Sequence, residues 1–249
     1  MSDAEAPRRR GLIEPTLFAI CGVAALVALG VWQLDRKTWK EGLIATVTQR
    51  ITAAPAALPP RERWAQLSAD KDEYRRVTFP AEFIDDEALV YTAGSAFRPD
   101  VSGAGFWVFS PVRLLGGSVV VVNRGFVPTD HRNVRDRPNG MLRGIVDITG
   151  AMRWPEARGL FTPADEPQNG VWYVRDPKLI AEAKHWGAVA PFFIDMEAPQ
   201  PPGGMPRPGP LVVKLPDNHL QYAITWFGLA AALIGVYVAW LIARRRASL

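Results

Sequence analysis

The stretch "PDNHLQYAITWFGLAAALIGVYVAWLIARRR", residues 216–246, decides the fold class of this 249-residue chain. Residues 222–243 within it are almost entirely apolar. A helix of that length, at about 1.5 Å per residue, matches the roughly 30 Å hydrocarbon thickness of a bilayer. Residues 16–34, "TLFAICGVAALVALGVWQL", form a second segment of the same kind. The sequence therefore predicts two transmembrane helices that bracket a polar middle region.

Charges beside the two helices predict their orientation. Three arginines at residues 8–10 precede the first helix, and three more at residues 244–246 follow the second. Because positive residues next to a membrane helix stay on the cytoplasmic side, we expect both termini inside and the middle region outside. The predicted organisation is a cytoplasmic tail at 1–14, a transmembrane helix at 15–35, a periplasmic domain at 36–217, a transmembrane helix at 218–243 and a cytoplasmic tail at 244–249.

Composition narrows the location and the class of partner. The N-terminal "MSDAEAPRRR" is short and acidic in part, whereas a mitochondrial presequence is longer, amphipathic and poor in acids, so we predict a bacterial inner membrane. The single cysteine, Cys21, lies in the first apolar segment, so we expect neither a disulfide nor a thiolate metal site in the middle region. The net charge of +4 comes largely from the flanking arginines, and no nucleic-acid partner is expected.

Short alternating segments between the two helices predict β-strands. They are "YRRVTFPAEF" (74–83), "ALVYTAG" (88–94), "GFWVFSPVRLL" (105–115), "SVVVVNRGFVP" (118–128), "GIVDITGAMRW" (144–154), "VWYVRD" (171–176) and "APFFIDME" (190–197). Gly116 and Gly117 predict a tight hairpin turn, and residues 177–186 a short helix. The predicted fold class is an α+β membrane protein: two transmembrane helices bracketing a mostly antiparallel β domain, either a sheet or a small barrel, with one or two helices.

Four expectations concern local structure. The first helix should extend beyond the membrane and end before the proline-rich "AAPAALPP" (53–60). "LVVKL" (211–215) should add an edge strand, and "APQPPGGMPRPGP" (198–210) should form a surface loop. Small residues on one face of each membrane helix should let the two helices approach closely. These small residues are Ala24, Ala28, Gly228 and Ala232.

Common catalytic motifs are missing from the sequence. It contains no zinc-protease histidine pair, no nucleophile elbow, no phosphate-binding glycine loop and no paired-cysteine site. Of the three histidines, His131 lies in the charged segment "PTDHRNVRD", where we expect it to be solvated. His185 lies near the end of the predicted short helix, where a protonated imidazole would interact favourably with the helix dipole. Both are interpreted as structural side chains.

His219 differs because it stands where the second membrane helix begins. Asn218 is predicted to be the helix N-cap, and Gln221 completes a pattern like a capping box. Helical spacing places Tyr222 and Trp226 on the face of His219. Because polar groups at the edge of lipid need partners, two interpretations stay open. The imidazole either caps the helix and contacts lipid headgroups, or it ligates a flat, amphipathic, metal-bearing molecule such as heme.

Three stretches together resemble the signature regions of the Surfeit locus protein 1 family. They are "GVWQLDRKTWKEGLI" (30–44), "VVNRGFVP" (121–128) and "NHLQYAITWFGLA" (218–230). Two membrane helices that bracket one outer domain are also similar to the architecture of that family. One departure is Phe126, where tryptophan is often expected. The Arg124–Gly125 pair could pack structurally or touch a heme propionate or the oxidase, and we favour a structural role for Gly125.

The resemblance implies an assembly factor for heme a and copper-containing cytochrome c oxidase. Bacterial members of the family are thought to bind heme a and to aid its delivery to the oxidase catalytic subunit. A histidine at the start of the second membrane helix is implicated in that binding, and His219 is the matching position. The resulting hypothesis makes His219 an axial ligand of the heme iron. The other proposed contacts are Trp32, Trp39, Tyr222 and Trp226 for the ring, and Arg36 and Lys40 for the propionates.

The resemblance also implies binding partners, and two alternative functions stay open. The implied partners are the oxidase catalytic subunit, a heme a synthase and the lipid membrane, and the protein itself is predicted not to be an enzyme. One rival is a scaffold that stabilises an immature oxidase subunit without touching cofactor. Another is a membrane-tethered enzyme whose site includes His131 and Asp130. Direct copper carriage is not expected, because the middle region has no cysteine and only scattered methionines.

Overall fold

The structure of the chain, a computed structural model, describes residues 10–213 and 217–247. These residues form two compact units. The helix unit consists of the described residues up to Ile44 and from Asp217 onward. The sheet unit consists of the described residues from Ala45 to Val213.

Two long helices carry the apolar segments. The helices are α1 (Arg10–Thr52), α2 (Ala69–Asp72), α3 (Pro177–Ala183) and α4 (His219–Arg246). α1 and α4 are long and apolar enough to cross a membrane, with mean hydropathies of 2.2 and 2.0 in their most apolar windows. α1 ends directly before the proline-rich segment at 53–60, as predicted. Both helices are longer than the predicted membrane segments at 15–35 and 218–243, so those boundaries stay a prediction.

Within the helix unit, α1 and α4 pack side by side in opposite directions. At one end, Arg244 Nη1 donates to Gly11 O at 3.0 Å. One turn further in, the hydroxyls of Thr16 and Tyr237 are hydrogen-bonded. We call the shared face the seam, and its residues are Thr16, Ala19, Val23, Leu26, Gly30 and Gln33 of α1 and His219, Ala223, Trp226, Ala230, Leu233 and Tyr237 of α4. Alternating spacings of three and four residues are the repeat of a coiled coil.

Glycines of α1 let the two helices approach closely. A Cβ on Gly30 would lie 2.6 Å from Cε1 of Phe227, and one on Gly22 would lie 2.9 Å from Cδ2 of Leu233. The small residues predicted for this contact lie elsewhere, so that prediction is wrong. They are exposed: Ala24, Ala28, Gly228 and Ala232. Each helix has more than one face with small residues, and only the partner helix decides which of them is used.

Eight strands form one sheet in the sheet unit. They are β1 (Ala56–Ala57), β2 (Arg76–Phe83), β3 (Ala88–Gly94), β4 (Ser102–Leu114), β5 (Val119–Pro128), β6 (Ile145–Arg153), β7 (Val171–Trp172) and β8 (Val189–Ala198). Each of the seven predicted segments overlaps one of them, and β4 and β8 extend beyond the predicted 105–115 and 190–197. The predicted hairpin turn joins β4 to β5, where Gly117 N donates to Leu114 O at 2.8 Å with Gly117 at φ +81°.

Five of the strands close into a barrel. β2, β6, β8, β5 and β4 are neighbours in that order, and β4 pairs back with β2 between Ala81–Leu114 and Phe83–Val112. All neighbouring pairs in this ring are antiparallel except β5 with β8. β3 and β7 continue the sheet beyond β4, while β1 pairs with β2. The predicted antiparallel β domain is confirmed, and of its two forms the structure has the barrel.

Alternation along the strands produces two apolar clusters. The first fills the barrel and draws residues from all five of its strands, among them Phe79, Ile148 and Phe192. The second lies on the opposite side and includes Phe193, next in sequence, together with Ile180 of α3. Because successive side chains of a strand point to opposite faces, β8 contributes to both clusters.

Three local predictions need correction. The short helix α3 stops at Ala183, before the predicted end at residue 186. Residues 211–213 form no strand, and residues 214–215 of that predicted edge strand lie outside the described residues. The proline-rich segment 198–210 is not only a surface loop. Its Arg207 pairs with Phe126 of β5, with Phe126 N donating to Arg207 O at 3.0 Å and Arg207 N returning a bond at 2.9 Å.

Candidate functional site

His219 is the first residue of α4 and faces α1. Its Nδ1 lies 2.7 Å from Oε1 of Gln33, and the residue is half-buried on the seam. The antiparallel packing of α1 and α4 brings these two side chains together although 186 positions separate them in the chain. This hydrogen bond gives each of the two side chains one polar partner at one end of the seam, as the Thr16–Tyr237 bond does near the other end.

The contact with Gln33 determines which nitrogen of His219 can bind a ligand. An amide oxygen accepts hydrogen bonds and cannot donate them, so the contact is a hydrogen bond when Nδ1 carries the proton, and in that neutral tautomer the lone pair is on Nε2. In the described part of the chain, Nε2 has no hydrogen-bond partner. Metal-bound histidines commonly have this arrangement, in which the second ring nitrogen donates to a neighbouring group that fixes the ring orientation.

Asp217 caps α4 in place of the predicted residue. Its Oδ1 accepts a hydrogen bond from His219 N at 3.0 Å. Asn218 occupies the N-cap position, but its side chain makes no capping bond, so the predicted capping box is wrong. Asn218 has φ −105° and ψ 9°, outside the extended conformation in which an N-cap side chain reaches back to the helix, and the preceding carboxylate takes that role.

Cationic side chains of α1 lie one to two turns beyond Gln33. Lys37 is partly buried and forms an ion pair with Glu41 at 2.5 Å. Arg36 places its guanidinium 3.9 Å from the ring centre of Trp39, a cation–π contact within one helix. Lys40 is partly buried. The two predicted propionate contacts, Arg36 and Lys40, therefore lie on the same stretch of helix, and Arg36 is held by an aromatic ring.

The predicted aromatic residues differ in burial. Trp32 and Trp39 are 56% and 55% exposed, and Tyr222 is 55% exposed. Trp226 is less exposed and lies on the seam, two turns from His219. In the helix unit, three of the four predicted rings are thus exposed, while the fourth, Trp226, shares the seam with His219. Such a set offers one nitrogen ligand, flat apolar surfaces and nearby positive charge, which suits an amphipathic planar molecule.

Gln33 is the residue of the candidate site that the sequence prediction missed. The sequence feature that could have identified it is a spacing of three and four residues. This spacing connects Gly30, Gln33 and Lys37 to the apolar positions that precede them in α1. That spacing shows that Gln33 shares a face with the helix contact. It does not show that His219 lies opposite, because the register between α1 and α4 is a tertiary property.

The other two histidines are in the sheet unit. His131 Nδ1 lies 3.0 Å from Oδ1 of its neighbour Asp130, whose side chain is 75% exposed. His185 follows α3 with φ +58°, and its backbone N donates to Glu182 O at 3.3 Å. Among the described residues, no group of three or more His, Cys, Asp or Glu could hold a metal ion.

Gly125 has the structural role favoured for it. It lies inside β5 at φ +116°, a region that side-chain-bearing residues rarely adopt. A Cβ at this position would lie 2.1 Å from Arg207 O, so the paired segment leaves no room for one. Its neighbour Arg124 is 2% exposed and lies against Glu87 at 3.5 Å. The "VNRGF" motif therefore builds the interior of the sheet unit.

Comparison with known proteins establishes the family. The family model described as the SURF1 family matches residues 20–231, which includes most of α1, the whole sheet unit and the first half of α4. This chain belongs to the SURF1 family. It is 34% identical over 245 residues to a SURF1-like protein of Monosiga brevicollis, covering 95% of this chain and 90% of that protein.

Vertebrate relatives agree with that assignment. Surfeit locus protein 1 of Rattus norvegicus is 36% identical over 220 residues, covering 84% of this chain and 70% of that protein. Surfeit locus protein 1 of Homo sapiens is 34% identical over 218 residues, covering 82% of this chain and 70% of that protein. The resemblance seen in the three signature stretches of this SURF1-family chain is thereby confirmed.

Proposed function

We propose that this protein is an assembly factor for heme a and copper-containing cytochrome c oxidase, which binds heme a transiently and helps its insertion into the catalytic subunit. Membership of the SURF1 family supports the role in oxidase assembly. The observation that supports heme as cargo is the hydrogen bond between His219 and Gln33, which leaves the Nε2 lone pair of the imidazole for iron. The protein makes and breaks no covalent bond in this role and is not an enzyme.

Each residue of the proposed site has a limited task. His219 offers an axial nitrogen, and Gln33 keeps its ring in one orientation and one tautomer. Trp226, on the seam, and the exposed rings of Trp32, Trp39 and Tyr222 supply apolar surface for the macrocycle. Arg36 and Lys40 supply positive charge for the propionates. Transient binding requires only moderate affinity, because the receiving subunit must be able to take the heme over.

We place the protein in the inner membrane of a bacterial cell. α1 and α4 cross the bilayer, both termini are cytoplasmic and the sheet unit is periplasmic. Triple-arginine clusters at residues 8–10 and 244–246 support this orientation. The partners in this proposal are the lipid membrane, the oxidase catalytic subunit as receiver of heme a, and a heme a synthase as its donor.

Purification from cells that make heme a tests the proposed cargo. The solubilised full-length protein should carry a heme absorption band, and His219→Ala should lose that band or shift it. His131→Ala is the matched control, because it removes an imidazole that the structure places in the sheet unit. We expect the control to retain the wild-type spectrum.

Other outcomes distinguish the rival functions. If wild-type protein and both variants are colourless while oxidase assembly still requires the protein, a scaffold that binds no cofactor replaces the proposal. If His131→Ala retains heme but abolishes function, a membrane-tethered enzyme built around His131 and Asp130 replaces it. Equal heme loading by wild type and His219→Ala would remove His219 from the site.

A further inference from the structure

The sheet unit contains a cavity that the proposed heme site does not use. It has a volume of about 820 Å³, within the range of small-molecule sites. Its walls come from the β2–β3 connection, from Arg124 of β5, from residues 134–143 and from the start of β6. Four arginines line it, one from β5 and three from residues 134–143.

Two of these arginines are buried and share one carboxylate. Arg124 and Arg137 have side chains that are each 2% exposed, and Glu87 is 14% exposed. Glu87 lies 3.5 Å from Arg124 and accepts a bond from Arg137 Nη1 at 3.2 Å. Arg124 also donates to Ser110 Oγ at 3.4 Å and to Gly140 O. Two buried guanidinium groups against one carboxylate leave a positive charge beside the cavity, and such charge favours a bound anion.

Burial disfavours the charged form of Arg124. It is the main cause that lowers the pKa of Arg124 to about 10. Glu87 and Asp85 act in the opposite direction, while the neighbouring Arg137 lowers the pKa further. The guanidinium is charged at neutral pH, and an anion in the cavity would stabilise that charge.

The rim adds further positive charge. Arg135 and Arg143 line the cavity, are exposed, and have no ion pair among the described residues. Three carboxylates also line the cavity. Glu87 is shared by Arg124 and Arg137, and Asp86 forms an ion pair with Lys184 at 2.7 Å. The third, Asp85, is exposed. The lining thus has four arginines. Of its three carboxylates, Asp86 is paired with Lys184 outside the lining, so only Glu87 and Asp85 balance the arginines.

One wall of the cavity is apolar. Met141, Leu142 and Val146 line it and pack against the barrel core on their other side. Val134, which is 59% exposed, lies at its edge. An anion alone would leave these side chains uncovered, whereas a ligand with an apolar body would remove them from water.

We propose that this cavity binds a carboxylate that carries an apolar substituent, with Arg135 and Arg143 contacting the carboxylate and the Met141–Leu142 wall contacting the substituent. Arg124 and Arg137 supply the positive field behind them. The same chemistry is found in a free small acid and in an acidic side chain flanked by apolar residues in a partner polypeptide. This site is separate from the heme proposal and does not depend on it.

Binding of matched acid and amide probes tests the carboxylate. The protein is the full-length chain in nanodiscs, with empty nanodiscs subtracted to correct for partition into lipid. Phenylacetate should bind saturably with a Kd on the order of 1 mM, as expected for about ten non-hydrogen atoms. Phenylacetamide has the same shape without the charge, and it should bind about tenfold more weakly or not at all.

Paired variants test the location. Arg135→Gln with Arg143→Gln should weaken phenylacetate binding about tenfold, since both cations proposed to contact the anion are lost. Arg61→Gln with Arg63→Gln is the control, because it removes two exposed cations of the sheet unit that do not line the cavity. Asp85→Asn removes the exposed carboxylate from the lining and should strengthen binding.

A peptide probe distinguishes the two sources of carboxylate. Acetyl-Leu-Glu-Leu-amide binding more tightly than phenylacetate, and more tightly than its Gln counterpart, indicates a partner chain as the source. Phenylacetate binding at least as tightly indicates a free acid. The proposal is overturned if neither acid binds saturably, if the neutral probes bind as well as the acids, or if the two double variants have equal effects.

Discussion

Gln33 is the residue on which the orientation of His219 depends. Replacing it with leucine removes the acceptor for Nδ1–H and leaves the tautomer and ring angle of His219 unfixed. We expect Gln33→Leu to weaken heme binding by about 10- to 100-fold, the usual effect of losing such a partner. Heme titration of the purified protein measures this change.

Gln49→Leu is the matched control for that prediction. Gln49 is an exposed glutamine further along α1, so the control removes the same chemical group at a position away from His219. Its heme affinity should equal that of the wild type. If Gln33→Leu binds heme with unchanged affinity, the imidazole does not depend on this hydrogen bond.

A comparison of Gly125 with Gly117 distinguishes two reasons why a position requires glycine: backbone strain at positive φ, and lack of space for a Cβ. Both have positive φ, but a Cβ on Gly125 would meet Arg207 O at 2.1 Å, whereas a Cβ on Gly117 would meet nothing within 4 Å. Gly117→Ala should cost about 1 kcal/mol of stability through backbone strain alone. Gly125→Ala should cost more than about 3 kcal/mol, because the segment paired with β5 must also move.

Thermal or denaturant unfolding of the full-length chain, followed by tryptophan fluorescence, measures the difference between these two variants. Trp107 packs against Phe126, with ring centres 5.8 Å apart, and reports on this part of the sheet unit. Equal destabilisation by the two variants would show that the close approach of Arg207 to Gly125 is not important for stability.

At the scale of elements, the pairing of α1 with α4 depends on Gly30. Leucine at this position would occupy the space of the Phe227 ring, whereas leucine at Gly228 would point away from α1. Gly30→Leu should therefore disrupt the helix pair, and Gly228→Leu should not.

Cross-linking of engineered cysteines measures that pairing. Thr16→Cys and Tyr237→Cys are placed together in a Cys21→Ser background, since the two native hydroxyls are in contact, and a short bis-maleimide spans the gap left by the tyrosine ring. The cross-link should form readily in this background and with Gly228→Leu. With Gly30→Leu its yield should fall several-fold. Unchanged yield would mean that the helices tolerate a large side chain on the seam.

Local pattern was enough to locate most elements of the sheet unit. Alternating apolar residues identified all seven strand-bearing segments, because one face of each strand is buried whatever its neighbours are. Closure of the barrel was not predictable in the same way. It depends on the pairing of β2 with β4 and of β5 with β8, which joins residues far apart in sequence and requires the register of each pair.

The candidate site was likewise predictable where it depends on local sequence and not where it depends on the packing of α1 against α4. His219 was identified from its local setting, a histidine at the start of an apolar helix. Gln33 was missed, and the predicted faces for helix contact were wrong, because both depend on how α1 is rotated against α4. Asp217 replaced Asn218 as the capping side chain because the backbone at Asn218 is not extended.

At the scale of the whole molecule, the antiparallel pairing brings the start of α1 and the end of α4 to the same end of the helix pair, so the proposed membrane placement puts both on one side of the bilayer. Arg244 contacts Gly11 at one end of the pair, while His219 contacts Gln33 at the other. Single cysteines can test this in a Cys21→Ser background, at Ser2, at Ser248 and at Leu160, which is 93% exposed in the sheet unit.

The measurement is labelling of each cysteine with a maleimide that cannot cross the inner membrane, applied to cells whose outer membrane has been made permeable. Leu160→Cys should react in intact spheroplasts, whereas Ser2→Cys and Ser248→Cys should react only after lysis. Reaction of the two terminal cysteines but not of Leu160→Cys before lysis would indicate the inverted orientation. Reaction of all three would indicate a leaky preparation, which a cytosolic marker identifies. Opposite behaviour of the two terminal cysteines would contradict the antiparallel pair.

Closure of the barrel also limits how other proteins can recognise this one. A ring of strands exposes no continuous row of free main-chain amides and carbonyls, and in the described residues the strands added beyond it end in β1 and β7, of two residues each. A partner polypeptide can therefore form few main-chain hydrogen bonds by adding to this sheet as an extra strand. A partner that docks on the sheet unit must then be selected by the shape and charge of its surface and not by main-chain pairing.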